Sequence, residues 1–366
     1  MTTAPAGLPV VGAARRPGRI ALLSLAVALV AAGALVITGP PGRSSPTPPG
    51  NLTLAAAWPH AKQADFDPAL PDGPLFAPLL FLDTTTAIGT APTTDARSVR
   101  LGIRDATGFR ELRRFPLASD PQFAALTATG DTVVWTESTD DRPKVRIWQA
   151  SRTAGPARLL TADTGAAVFY GSRYDLAVTG GVLRWAAANG NATEVRSIPL
   201  TGGPVAVHTE IGHWSLSAWP WLVEENQRRL RNVETQRDTE VVTSGPETAT
   251  CSPVWCRVLV MAADGPARID LMHPDGSARR RTAGGEARAA VDDVAVLDRF
   301  ELLAEPAPDA DLTGTTTLLV HDASTSRTVE ISAAVDGAFT GGGLLWWSTG
   351  GTEDEITWHV LDLRTA

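Results

Sequence analysis

The sequence predicts an all-β chain, a seven-bladed β-propeller, preceded by one N-terminal transmembrane helix. Three observations predict it. An uncharged apolar run of 19 residues lies near the N-terminus. A unit of two strands and a polar turn recurs about every 43 residues after it. The composition, with 33 Gly, 27 Pro and 11 Trp, favours many short strands joined by turns.

At 366 residues the chain has room for one large domain or two ordinary ones. Its net charge of −8 argues against a nucleic-acid partner, because sequence-independent binding needs a basic face that displaces counterions. Lys62 and Lys144 are the only lysines and the other 30 basic residues are Arg, as the coding bias of a GC-rich genome produces. The densest basic run, Arg279-Arg280-Arg281, sits beside a turn and reads as a solvated strand end.

Residues 1–19 are expected to form a cytoplasmic tail and residues 20–38 the transmembrane signal anchor (IALLSLAVALVAAGALVIT). As a helix, at ~1.5 Å per residue, that run spans about 28 Å, close to the hydrocarbon thickness of a bilayer. Backbone amides in lipid must be satisfied within the segment, which requires the helix. Arg15, Arg16 and Arg19 precede the run, whereas only Arg43 follows it before Lys62. That asymmetry predicts a single-pass cell-membrane protein with a cytoplasmic N-terminus and everything after Thr38 outside. A cleaved signal peptide is the alternative, with Ala32-Gly33-Ala34 as its small-residue site. No Cys follows the run, which excludes a lipoprotein anchor. Residues 39–50 (GPPGRSSPTPPG) form a semi-rigid spacer, and 51–366 the extracytoplasmic propeller.

Seven copies of the repeated unit can be aligned: Val99–Phe109, Val145–Gly155, Val195–Gly203, Leu230–Gln236, Arg268–Gly276, Leu318–Ser326 and Trp358–Ala366. Each follows another apolar strand, in order Leu79–Leu82, Thr132–Trp135, Val182–Trp185, Trp219–Val223, Val258–Met261, Phe300–Leu303 and Leu344–Trp347. A period of ~40–45 residues with three or four short strands is a propeller blade, and a two-sheet sandwich would not keep it so even. The seventh unit ends at its turn, so a segment within Leu52–Leu70 is expected to supply its outer strand and close the ring. The first unit is the weakest, which leaves six blades as the alternative.

Ile269-Asp-Leu-Met-His-Pro-Asp275-Gly276-Ser-Ala-Arg-Arg-Arg-Thr282 resembles the repeat of TolB-like propellers, a strand followed by Asp-Gly, a basic pair and Thr. Val145–Gly165 fits the same mould more loosely, and the resemblance extends at fold level from Leu79 to Ala366. It implies a propeller and no particular partner, because the N-terminal domain of the periplasmic translocation protein is missing here. WD-repeat propellers are less similar, since no Gly-His or Trp-Asp pair recurs.

Cys251 and Cys256 are the only cysteines, and on the oxidising side of a membrane they are expected to form a disulfide. Fully extended, the five steps between them would span about 16 Å, well beyond disulfide reach, so Ser252-Pro253 must turn the chain back. Two thiolates are half a zinc shell. A redox pair would more often be spaced Cys-x-x-Cys.

The sequence holds no Gly-x-Ser-x-Gly elbow and no His-Glu-x-x-His. His60, His208, His213, His273, His321 and His359 are scattered over the blades and read as satisfied strand or turn residues. Asp309-Ala-Asp311-Leu-Thr313-Gly314 has the first half of a calcium loop, but Val320 would occupy its twelfth position and cannot ligate. Asp140-Asp141 and Asp292-Asp293 flank strands and are expected to face water. No catalytic residue, cofactor or metal site is therefore assigned.

Trp135, Trp185, Trp255 and Trp346 fall at matching places in different units and read as packing between blades. The cluster around Trp214, Trp219 and Trp221 reads the same way, with Trp214 and Trp221 the candidates for a ligand surface because their neighbours are more polar. The expected function is a non-catalytic binding platform for an unknown protein or cell-wall ligand. The alternative is a propeller lyase or hydrolase acting on glycans. Acids and His converging at one mouth of the channel would favour the enzyme, and scattering around the rim would favour binding.

Overall fold

A computed structural model describes residues 51–366, apart from 264 and 352–355. The expected membrane helix and the Pro-rich spacer therefore lie outside the described residues. Among the described residues, no helix is long and apolar enough to cross a membrane.

Among the described residues thirty strands form seven separate sheets, which settles the blade count at seven. The described part begins with β1 (Leu52–Thr53) and β2 (Gln63–Phe66). Blade 1 is β3 (Ala77–Phe81), β4 (Ala87–Pro92), β5 (Ser98–Asp105) and β6 (Gly108–Pro116). Blade 2 is β7 (Leu126–Thr129), β8 (Thr132–Thr139), β9 (Arg142–Ser151) and β10 (Arg158–Thr161). In blade 3 the inner strand is split into β11 (Ala166–Ala167) and β12 (Ala177–Thr179), both paired with β13 (Val182–Asn189). The blade continues with β14 (Ala192–Pro199) and β15 (Ala206–Ile211).

Blade 4 is β16 (Trp214–Leu216), β17 (Trp221–Glu224), β18 (Arg229–Asn232) and β19 (Arg237–Glu240). Blade 5 is β20 (Glu247–Cys251), β21 (Cys256–Ala262), β22 (Gly265–Met272) and β23 (Arg280–Gly284). Blade 6 is β24 (Arg288–Ala289), β25 (Phe300–Pro306), β26 (Thr316–Asp322) and β27 (Arg327–Val335), with β1 added in parallel to its outer edge. Blade 7 is β28 (Gly337–Gly341), β29 (Leu344–Thr349) and β30 (Thr357–Asp362).

The missing fourth strand of blade 7 comes from the N-terminal side, as expected. β2 pairs antiparallel with β30, Gln63 opposite Leu361 through Phe66 opposite Trp358. Phe66 is buried, and its ring meets Phe81 edge-on at 5.1 Å, so the closing strand is also pinned to blade 1. Closure removes the open edge that an unpaired β30 would present to other chains.

Local chemistry sets the hairpins. Gly180-Gly181 joins β12 to β13 and Gly342-Gly343 joins β28 to β29, each a two-residue turn with both φ values positive. That geometry matches the twist of the flanking strands and favours residues without a Cβ. Between blades the core is aromatic and aliphatic. Trp135, Trp185 and Trp346 lie on the second strand of their blades and are 0–2% exposed. Burying roughly 150–250 Å² per side chain stabilises each by about 4–6 kcal/mol before entropy costs. Trp255 departs from the expected equivalence, because it sits in the turn before β21 and stacks on His273 at 4.3 Å.

Blade 1 requires a second correction. Leu79–Leu82 was expected to match the apolar strands of the other units, all of which fall on the second strand of a blade. It belongs instead to the innermost strand, β3, and the true second strand is β4. β4 carries Gly89, where an added Cβ would come within 2.2 Å of the Ala77 carbonyl oxygen and 2.7 Å of the Phe76 ring. The volume is filled by a neighbour's ring, so the strand itself shows little apolar signal.

Candidate functional site

The innermost strands surround a central channel, and two loops project into it. Residues 168–176 bulge out between β11 and β12, and residues 290–299 connect β24 to β25. They meet at Asp293. Its Oδ1 accepts from the Ser172 hydroxyl at 3.3 Å, and its Oδ2 accepts from the Thr340 hydroxyl on β28 at 3.2 Å. The Arg173 guanidinium lies 3.7 Å from the same carboxylate. Blades 3, 6 and 7 are thus tied together through one carboxyl group.

Each loop is built around its own anchor. Asp175 Oδ2 accepts from the backbone amides of Tyr170 and Gly171, both at 2.8 Å, which folds the blade 3 loop back on itself. The opposing loop is held by a buried ion pair between Arg257 on β21 and Glu301 on β25. Arg257 also donates to the Asp293 carbonyl at 2.7 Å, and Glu301 accepts from the Ala295 amide at 2.8 Å. A buried pair of this kind needs its remaining hydrogen bonds satisfied, and the loop backbone satisfies them.

Burial dominates the electrostatics here. Desolvation pushes the Asp175 carboxyl up to about 6, against the lowering effect of its backbone donors. It also raises Asp293, with Arg173 pulling the other way, and it raises the Tyr174 phenol. The expectation that Asp292-Asp293 faces water is therefore half wrong. Asp292 is exposed, but Asp293 is 8% exposed and turned into the channel, because Arg173, Ser172 and Thr340 replace its water. Asp140 and Asp141 do lie exposed.

Two cavities flank this plug and share Ser172, Asp292 and Asp293 as walls. The larger, about 660 Å³, is bounded by small and apolar residues of blades 1, 2, 6 and 7, such as Leu79, Ala128, Ala338 and Phe339, with Arg152 and Arg364 among them. Arg152 is paired with Asp83 at 3.0 Å and Arg364 with Asp362 at 2.7 Å. The smaller, about 400 Å³, is bounded by blades 3 to 6 and lined by hydroxyls and acids, including Tyr170, Ser215, Glu225 and Thr250. Both fall in the usual range for small-ligand pockets, about 300–1,000 Å³. No His lines either cavity. Among the described residues no His, Cys, Asp and Glu cluster could hold a metal ion.

The surface expected at Trp214 is absent. Trp214 is 4% exposed, packed with Ala186, Val195 and Leu222, and flanked by the Arg229 and Arg231 guanidinium groups at 5.0 Å each. The polar residues beside it in sequence do not expose it, because Arg229 and Arg231 of β18 cover the ring. Trp221 is half-buried against Val223 and Leu230. The disulfide is present, joining Cys251 and Cys256 as directly opposed residues of β20 and β21. The basic run is less solvated than expected. Arg279 bonds Glu247 and Asp270, Arg280 donates to the Ala323 carbonyl, and only Arg281 is exposed. His321 is buried, with Nδ1 facing the Thr328 hydroxyl.

Of the plug residues, motif reading singled out only Asp293, in the Asp292-Asp293 pair, and assigned it to solvent. Ser172, Arg173, Asp175, Asp293 and Glu301 come from two blades separated by more than a hundred positions. The only advance signal was the long gap after Ala166 in unit 3, where a blade would ordinarily need a short turn.

No family model matches this chain, and no curated relative matches it. Solved structures do. The β-propeller domain of the Trilobed protease from Pyrococcus furiosus is similar at 13% identity, TM-score 0.43, over 62% of this chain and 78% of that one. Oligogalacturonate lyase from Vibrio parahaemolyticus is similar at 8% identity, TM-score 0.49, over 83% and 97%. TolB from Acinetobacter baumannii is similar at 10% identity, TM-score 0.35, over 76% and 64%. The likeness is one of architecture: a β-propeller with TolB among its structural neighbours. No activity is carried over from it.

Proposed function

We propose that this chain is a membrane-anchored extracytoplasmic propeller that binds a small ligand in its plugged central channel without transforming it. The observation that carries this reading is the use made of the converged charges. Asp293 is held by Ser172, Thr340 and Arg173, Asp175 by backbone amides, and Arg257 by Glu301. Groups committed in this way shape a cavity, whereas a general base needs a free lone pair within reach of a substrate proton. The anchor reading rests on the apolar run and its Arg asymmetry, and the Cys251–Cys256 bond fits an oxidising compartment.

A glycan-cleaving enzyme is the second reading, favoured by one observation. Asp175 and Asp293 are two acids raised by burial, and the Asp293 charge adds to the rise at Asp175, which is how acid–base pairs are tuned. Incubating the purified full chain with cell-wall and plant glycans, and measuring new reducing ends and unsaturated ends, separates the two. Binding without product supports the platform. Turnover that Asp293→Asn abolishes, in a variant that still folds and binds, replaces it with the enzyme.

A further inference from the structure

The two cavities differ in chemistry, and the difference selects a ligand. In the larger one the cations are Arg, each already paired. The smaller one holds acceptors that are not. Glu225, from the turn between β17 and β18, and Asp292, from the blade 6 loop, are both exposed. Among the described residues neither side chain has an ion-pair or hydrogen-bond partner: Arg229 pairs with Glu224, the residue before Glu225, and Arg257 reaches only the Asp292 backbone carbonyl. Arg257 is the only cation in this lining, and Glu301 and the loop carbonyls occupy it.

Tyr170, on the blade 3 loop, lines the same cavity and is 59% exposed. The Asp292 carboxylate lies beside the adjacent Gly171, 4.0 Å from where a Cβ would be. Burial raises the Tyr170 phenol, and the Glu225 charge adds to that. Ser215 and Thr250 add hydroxyls to the wall. Gln227 accepts from the Cys251 amide through Oε1 at 3.0 Å, which fixes its side chain and leaves its amide nitrogen to donate.

We propose that this smaller cavity is a binding site for a neutral sugar ring. A sugar offers a ring of hydroxyl donors to unpaired carboxylates, and hydrogen bonds to charged acceptors are the stronger kind. It also offers an apolar C–H face, which the exposed Tyr170 ring can stack against. The volume fits: about 400 Å³ is the space of roughly a dozen waters, and a hexose has twelve heavy atoms. Charge supplies the selectivity. A uronic acid would bring its carboxylate against Glu225 and Asp292 with no free cation to receive it, and like charges at contact suppress binding.

The inference rests on the channel-binding reading and deepens it. The test is isothermal titration of the purified full chain with neutral disaccharides and with the matching uronic-acid disaccharides, alongside Tyr170→Ala and Glu225→Gln. Both side chains are exposed, so folding is checked by an unchanged thermal transition. The expected result is binding of at least one neutral sugar, at least about tenfold weaker binding of its uronate, and a loss of about tenfold or more in each variant. Equal or tighter binding of the uronate overturns the inference. So does neutral-sugar binding that survives both substitutions but is lost with Phe339→Ala, which would move the ligand to the larger cavity and leave the channel reading standing. If no sugar binds while a screened small molecule is displaced by channel substitutions, only the sugar assignment fails. If no ligand responds to any channel substitution, the channel reading fails as well.

Discussion

The hydroxyl of Ser172 donates to Asp293 across the central channel at 3.3 Å, joining residues 121 positions apart in sequence. The bond ties a bulge in the inner strand of blade 3 to the loop after the inner strand of blade 6. It makes the interior of the ring two cavities instead of one open bore, and it sets up several measurable consequences.

Asp175 gives the channel a pH signature. Its carboxyl is raised from 3.8 to about 6, so the native state holds its proton where the unfolded chain has released it. This group's contribution to stability is complete below about pH 4 and is lost as pH rises through about 6. Asp175→Asn keeps the acceptor for the Tyr170 and Gly171 amides but does not titrate. The variant should therefore gain on the wild type between pH 4 and 7, by up to about 3 kcal/mol, in urea denaturation followed across that range. A constant difference at all pH values would show that burial does not control this group.

The Arg257–Glu301 pair is the second test. Glu301 is fully buried, and replacing it with Ala would strand the Arg257 cation in the interior. The expected loss is about 3–5 kcal/mol by chemical denaturation. A double replacement by apolar residues of similar volume should recover much of it. If Glu301→Ala alone costs under about 1 kcal/mol, the pair does not hold the 290–299 loop as described.

Closure by β2 is tested at Phe66. Phe66→Ala removes a buried ring that contacts Phe81 and Phe76, with an expected cost of about 3–5 kcal/mol. Deleting the chain through Phe66 is harsher, because it also removes β1 from blade 6 and leaves the outer edge of β30 unpaired. Size-exclusion chromatography should then show oligomers or aggregates, with hydrogen exchange accelerated over Trp358–Leu361. A monodisperse truncation with β30 still protected would mean the ring closes without this strand.

The disulfide closes a loop of six residues, so it constrains the unfolded chain modestly. Loop-closure entropy gives about 2 kcal/mol, and the Cys251→Ala/Cys256→Ala variant should lose about that much. The fold should survive, since Cys251 and Cys256 are also opposed in a regular hairpin whose neighbours Val258 and Met272 are buried. Equal stability of oxidised and reduced wild type would show the bond to be energetically silent.

The propeller was legible in the residues because blade strands repeat. Alternating apolar runs such as Thr132–Trp135 and Val182–Trp185, with Gly-rich turns between them, report local geometry, and local geometry is written in adjacent residues. The same logic placed the closing strand within Leu52–Leu70, while Cys251 and Cys256 paired because they are the only two cysteines. Blade 1 was partly hidden because Gly89 and Gly102 make room for rings supplied by Phe76 and Phe109. The plug was not legible. Ser172, Arg173, Asp175, Asp293 and Glu301 acquire their roles only when ring closure brings blade 3 opposite blade 6, and no spacing along the chain encodes a contact across a channel. Trp214 shows the converse: its polar neighbours in sequence suggested exposure, but Arg229 and Arg231 of β18 fold over the ring. What the amino-acid order determined by itself was the repeated blade and the strand that closes it. What tertiary structure alone decided was which charges meet at the axis, because burial and partners are properties of the assembled ring.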